Sequence, residues 1–383
     1  MSAESSNAPA NSDSPTVIPL GIGCLSLVPK FSTEEAANKP DATQWEQALE
    51  TGLGALASIS DLRVTVRPLF RRWSEGTSAD HDEKELVPTI APATWIRFTL
   101  IIPRRMHAGL STLGSPTSGA ERFDVKIADG LNGPVTFIRP LDGNATEEDP
   151  SAMVVLVREF LSRELRRLNT PIRIVTTGPS PFHADFDIRP KSGLSSDLEH
   201  SWHDPGAGYD RVTFYYDPDV THSEAAYEAI TRSLLDPFSM YYEIVRDHDQ
   251  RMAKAMTVAN MANNLIAVHR RKGIRGWFFK TMRSGSQARE LLLDAITAKQ
   301  SDMERRARLR SQLTRRDRGI ALPDLSRICQ QEIDEDFEDS LTTSENVART
   351  LEGGRVLQYQ VFVAASATIF GAFGGAITSL IVR

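Results

Sequence analysis

VFVAASATIFGAFGGAITSLIV, residues 361–382, is the stretch on which the architecture turns. It holds 22 residues without a charge, between Arg355 and Arg383. At 1.5 Å per residue a helix of that length reaches roughly 33 Å, enough to cross a hydrocarbon core of about 30 Å. The stretch is therefore expected to be a single membrane-spanning helix that closes the chain. Ala367, Gly371, Gly375 and Ser379 recur at every fourth position and share one helix stripe, which contains the GxxxG pair Gly371 and Gly375. In lipid such a stripe lets two backbones approach, and close packing then drives association that no hydrophobic effect can supply. The expectation is a homo-oligomer joined through this tail.

Outward from the tail, the chain is polar enough for a body outside the bilayer. Of 383 residues 40% are hydrophobic and 25% charged, and the net charge of −6 gives no general attraction to nucleic acid. Two cysteines, Cys24 and Cys329, exclude a disulfide framework or a cysteine-rich zinc site and suit a reducing compartment. The opening residues, MSAESSNAPANSDSP, have neither the basic nor the apolar region of a secretory signal. A chain with one span near its end, and arginines concentrated before that span, is expected to be single-pass with its bulk in the cytoplasm.

Residues 1–16 read as a disordered leader and 17–220 as an α+β domain, with strands expected over 17–28, 62–70, 95–102, 122–128, 135–141, 172–176, 183–188 and 212–216. Helices are expected over 42–58, where Trp45, Leu49, Leu53 and Leu56 fall at helical spacing, and over 151–168, where Val154, Val157, Leu161 and Leu165 do. Strand patterns stop at Asp217-Pro218. Residues 221–355 read as an all-α stalk and 356–383 as the transmembrane segment. In the stalk, 222–271 is expected to be one helix or a pair broken at Asp236-Pro237, followed by helices over 287–314 and 325–351. Met240, Ile244, Met252, Met256, Met261 and Leu265 read as a core or a subunit interface, giving the stalk a share in oligomerisation.

Three constellations invite chemistry. RRKGIRGWFFKTMR, residues 270–283, sets Trp277, Phe278 and Phe279 among the cations Arg270, Arg271, Lys272, Arg275, Lys280 and Arg283. That mixture fits an anionic membrane surface or phosphate groups, with a solvated helix turn as the plain alternative. Residues 305–318 carry seven arginines and 332–339 six carboxylates, opposed blocks able to pair with each other or between subunits. His183, Asp185 and Asp187 alternate along one strand and share a face, a plausible ligand set for a divalent metal that any half-buried strand would also show. Asp247-His248-Asp249 lies inside a helix, where successive side chains diverge by about 100° and cannot converge on one ion.

No P-loop, GxSxG, HExxH or paired CxxC occurs, and the sequence names no cofactor. The function expected is that of a tail-anchored protein whose cytosolic α+β domain senses a small-molecule or protein ligand. Its lipid-embedded tails would assemble into a pore or membrane-perturbing bundle, channel-like or effector-like. A membrane-tethered metal-dependent enzyme using His183, Asp185 and Asp187, or a passive membrane-anchored scaffold, are the alternatives.

Overall fold

The computed structural model describes residues 17–31, 41–67, 92–110, 119–130, 133–142, 149–179, 184–196, 199–204, 206, 209–270, 284–316 and 322–352. The expected tail at 361–382 lies outside these residues. Among the described residues no helix is long and apolar enough to cross a membrane. Two compact units emerge, an N-terminal α+β unit built on a sheet and a helical unit, with the division after Glu243 and residues 322–325 belonging to the first.

The sheet unit holds nine strands: β1 (Ile18–Pro29), β2 (Ile59–Arg67), β3 (Ala93–Ile101), β4 (Arg122–Gly130), β5 (Gly133–Pro140), β6 (Ile172–Pro179), β7 (Ala184–Pro190), β8 (Glu199–His203) and β9 (Asp210–Tyr216). Their order is β2-β3-β4-β5-β1-β7-β9-β8, with β6 also on β1. All neighbours are antiparallel except β7 and β9. The central β1 is buried along nearly its whole length, as a strand covered on both faces must be. It pairs with β7 through Ile18–Leu20 and with β6 from Gly23 onward, with a register shift between Gly23 and Leu25.

Helices α1 (Ala42–Gly54), α2 (Arg104–Leu110) and α3 (Pro150–Arg167) belong to this unit. Asp41 and Gln44 cap α1 reciprocally: the Gln44 amide donates to Asp41 Oδ1 at 2.8 Å and the Asp41 amide to Gln44 Oε1 at 2.9 Å. Asp149 caps α3 ahead of Pro150, which has no amide hydrogen to leave unsatisfied at that place. One face of α3 buries Met153, Val154, Leu156, Val157, Phe160, Leu161 and Leu165. At 1.5–3 kcal/mol for each large apolar side chain, that burial contributes roughly 10–20 kcal/mol, far beyond the helix's intrinsic propensity. Its close approach to β1 depends on Gly23, where a Cβ would meet Val154 Cγ1 at 2.6 Å.

The long helix α4 (Ser223–Arg270) runs through Pro237 without a break and contributes residues up to Glu243 to the sheet unit. The proline removes one backbone hydrogen bond and crowds the preceding turn, a cost of about 3 kcal/mol. Burial of Leu234, Phe238, Met240, Tyr241 and Tyr242 around it offsets that cost.

The helical unit comprises α4 from Ile244 onward, α5 (Ser284–Arg316), α6 (Pro323–Asp334) from Ser326, and α7 (residues 338–352). Its core is Ala255, Val258, Ala262 and Leu265 on α4, Ala288, Leu291, Ala295 and Ala298 on α5, and Leu341 and Ala348 on α7. Spacings of three and four alternate on α4 and α5, the pattern of a coiled-coil seam, and the small alanines let the helices pack closely. Where one helix was expected over 325–351, residues 335–337 are non-helical and separate α6 from α7.

Candidate functional site

The seam of the helical unit changes character along its length. Continued one heptad toward the start of α4, the same spacing reaches Arg251 and His248; continued beyond Ala298 on α5, it reaches Asp302. Polar groups at seam positions must find partners inside the bundle, because burial without them costs several kcal/mol. Each of these does.

Arg251, with 3% of its side chain exposed, is the hub. Its Nη1 donates to Asp302 Oδ1 at 2.9 Å and to the Glu335 carbonyl at 3.0 Å, and its Nη2 donates to the Glu332 carbonyl at 2.9 Å. Its Nε lies 3.2 Å from Asp247 Oδ2, and the Phe337 ring centroid lies 5.6 Å from the guanidinium. The planar fork thus satisfies two carbonyls at the end of α6, where helical partners run out, and fixes the interruption before α7. Arg306 Nε meets Asp302 at 2.9 Å, and Arg305 and Arg308 approach Asp247 at 3.5 and 4.0 Å. The basic and acidic blocks therefore meet within the chain: Arg310 pairs with Asp334 at 2.6 Å and Arg306 with Asp336 at 3.8 Å. Gln330 and Arg310 together hold the Asp334 carboxyl below its usual range.

His248 takes a different direction from Asp247. Its Nδ1 lies 3.5 Å from Glu332 Oε2 and its Nε2 3.1 Å from Glu335 Oε2, while Phe337 lies across the ring at 5.6 Å. Asp249 is exposed. The three successive residues diverge as helix geometry requires, and His248 finds its partners on α6 instead. Beside this cluster, Arg251, Lys254, Ser301, Asp302, Arg305 and Phe337 border a cleft of about 20 Å³, room for one water molecule rather than an organic ligand.

A second ionic cluster lies in the sheet unit, under the first turns of α4. Arg97 grips Asp124 with two bonds of 3.0 Å, and Arg139 Nε reaches the same carboxylate at 3.2 Å. Glu228 joins Arg97 at 2.7 Å and Lys126 at 2.9 Å, and Glu224 joins Arg139 at 2.6 Å. Tyr227 is fully buried, its ring centroid 3.9 Å from both Lys126 Nζ and Arg139 Cζ. Burial, and then the Asp124 charge, push the Tyr227 phenol well above its usual range. Burial pulls Lys126 down against the attraction of Glu228. For Glu228, burial acts upward, yet Lys126 and Arg97 bring the carboxyl below its usual range. Three cations face three carboxylates here, so the cluster fastens α4 to the sheet and carries little net charge toward a ligand.

Of the residues expected to hold a metal on the sheet, Asp187 is buried and held by Arg189 and Arg211, each at 2.9 Å. Asp185 accepts the Ser151 hydroxyl at 2.8 Å; burial raises its carboxyl above the usual range, against that bond. His183 lies outside the described residues. In the cationic aromatic stretch, Arg270 is the exposed last residue of α4, while Arg271, Lys272, Arg275, Trp277, Lys280 and Arg283 lie outside the described residues. So do Ala367, Gly371, Gly375 and Ser379. His248 was weighed in the sequence only with its neighbours Asp247 and Asp249, and Glu332 and Glu335 only as members of the acidic block 332–339; their grouping was not foreseen. Their signal was the heptad spacing that places His248 and Arg251 on the seam, but their pairing with α6 is non-local.

The chain matches no protein-family model, no curated protein and no solved structure. The roles of its residues therefore rest on the geometry above.

Proposed function

We propose that this is a membrane-attached, self-associating interaction protein. The sheet unit serves as its ligand- or partner-sensing body, and the glycine-striped segment 361–382 is its point of assembly in lipid. The observation that carries the reading is the segment itself: 22 uncharged residues, long enough to span a bilayer, with Ala367, Gly371, Gly375 and Ser379 on one stripe. It follows helix α7 after the eight residues 353–360.

A second feature supports self-association outside the bilayer. Met252 and Met256 on α4, one turn apart, are 40% and 59% exposed, and Leu293, Ile296 and Met303 on α5 are 66%, 43% and 66% exposed. Large apolar side chains at helical spacing that the chain leaves in solvent are suited to a contact between copies. In assembled tails Ser366, Thr368, Thr378 and Ser379 supply the hydroxyls that a bundle could turn inward. Membrane lipid and further copies of the chain are the partners this reading names.

The test is the particle mass in detergent of the full chain, of the chain lacking 356–383, and of the pair of substitutions Gly371→Leu and Gly375→Leu. Assembly through the tail predicts that truncation and double substitution both lower the mass. The same double substitution should abolish leakage from vesicles while leaving the far-ultraviolet circular dichroism unchanged. A mass indifferent to both changes removes the tail as the assembly point.

A further inference from the structure

We propose that His248, Glu332 and Glu335 form a binding site for a divalent transition-metal ion of the zinc class, which fastens α4 to the end of α6. The inference is independent of the membrane reading, because every residue it uses lies in the helical unit.

The three ligand atoms, one from each residue, lie within 4.8 Å of one another. Ligand atoms bound to zinc at 2.0–2.2 Å in a tetrahedron sit roughly 3.3–3.6 Å apart. The contact of 3.1 Å between His248 Nε2 and Glu335 Oε2 is a few tenths of an ångström short of that spacing, and the contact of 3.5 Å at Nδ1 places Glu332 on the other ring nitrogen.

Between two carboxylates an imidazolium can donate from both nitrogens, whereas a neutral ring has one N–H and one lone pair and can donate to only one of them. The Nε2 atom is sealed from solvent and makes no aligned hydrogen bond, although a carboxylate oxygen stands 3.1 Å away. With the ring proton on Nδ1 toward Glu332, the Nε2 lone pair faces an oxygen lone pair. A cation between Nε2 and Glu335 turns that repulsion into two coordinate bonds. Glu332 then acts either as a third ligand after a small side-chain rotation or as the carboxylate that orients the ligating histidine.

The backbone around the site is held in advance. Arg251 donates to the carbonyls of both Glu332 and Glu335, which fixes their separation across the end of α6, and Phe337 covers the imidazole. A metal site gains affinity from such support because less ordering remains to be done on binding. Glu335 is 58% exposed, which leaves a route for the ion and room for water at the open positions. One imidazole with two carboxylates favours zinc, cobalt or manganese over the all-oxygen sites that suit magnesium and calcium.

The experiment uses the full chain in detergent, stripped with chelator and titrated with zinc sulfate or cobalt chloride. We expect uptake of one equivalent and a cobalt spectrum of nitrogen and oxygen ligation. Amide exchange should slow in residues 244–252 and 326–337, by up to about a hundredfold with zinc at 100 times its dissociation constant. His248→Gln and Glu335→Gln should each abolish the uptake, and Glu332→Gln should weaken it. The wild-type protein decides the matter even if a variant fails to fold. Uptake without slowed exchange in those two segments, or no stoichiometric uptake at all, overturns the proposal, as does uptake that survives both His248→Gln and Glu335→Gln in folded protein.

Discussion

Replacing Arg251 by Met tests the logic of the ionic seam, because Met fills much of the same space and removes only the charge and the donors. The substitution deprives Asp302 of a bond of 2.9 Å, Asp247 of its nearest cation at 3.2 Å, and two carbonyls at the end of α6 of their donors. Removing one member of a buried pair costs about 3–5 kcal/mol. Here the lower end applies, since Arg306 stays 2.9 Å from Asp302. About 3 kcal/mol is more than two powers of ten in an opening equilibrium.

Because two units need not unfold together, the appropriate assay is amide exchange resolved by segment rather than a single melting curve. Residues 326–352 should exchange roughly a hundredfold faster in Arg251→Met, while the strands of the sheet unit keep their protection. Adding Asp302→Leu, which removes the stranded carboxylate, should restore exchange to within about tenfold of the original, as replacement of buried ion pairs by apolar residues commonly does. Acceleration of less than fivefold in the single variant would mean that Arg251 is not holding the break between α6 and α7.

Further outcomes follow from the sheet unit. Glu228 has a carboxyl pKa lowered in the folded state, so its contribution to stability is present above the ordinary value of 4.5 and disappears as pH falls through the lowered one. Glu228→Gln should therefore be less stable than the parent at pH 7, with the gap closing below pH 4.5 in denaturant titrations; a gap independent of pH would contradict the assignment. Asp185 works the other way: its raised pKa makes the charged form a burden near neutrality, so Asp185→Asn should be tolerated there and lose any advantage as acid protonates the parent. Gly23→Ala places a methyl 2.6 Å from Val154 Cγ1 and should destabilise by about 1–3 kcal/mol, with Val154→Ala in the same chain recovering part of that loss. Equal stability of Gly23→Ala and parent in urea titration would show that the helix-to-strand approach is looser than described.

Much of the architecture was legible because it follows local periodicity. The strand patterns over 62–70, 95–102 and 122–128 and the helical spacing of Trp45, Leu49 and Leu53 announced elements that form the core, and the cessation of strand patterns at Asp217-Pro218 coincides with the end of β9 at Tyr216. The strand β8 escaped notice: Glu199–His203 is short and its burial shows no buried face, so no period of two is written into it. The interruption at 335–337 escaped because acids there are compatible with a helix, and what ends α6 is the donation from Arg251, more than 80 residues away in sequence. The pairing of residues 305–318 with 332–339 was readable as charge complementarity, whereas its detailed partners were not.

The candidate site was the less visible part. His183, Asp185 and Asp187 attracted attention because they are adjacent in pattern, yet Arg211, contributed by another strand, takes part in holding Asp187. His248 was set aside with Asp247 and Asp249, whose side chains diverge from it along the helix, and only tertiary packing brings Glu332 and Glu335 to it. Heptad continuation from Leu265 back through Ala262, Val258 and Ala255 to Arg251 and His248 is the signal that could have placed both on the seam.

The central claim, that residues 361–382 live in lipid, is tested most directly by washing membranes that carry the full chain with alkaline carbonate. Retention of the intact chain in the pellet, with release of the chain lacking 356–383, is the predicted result. Release of the full chain by carbonate would contradict the account.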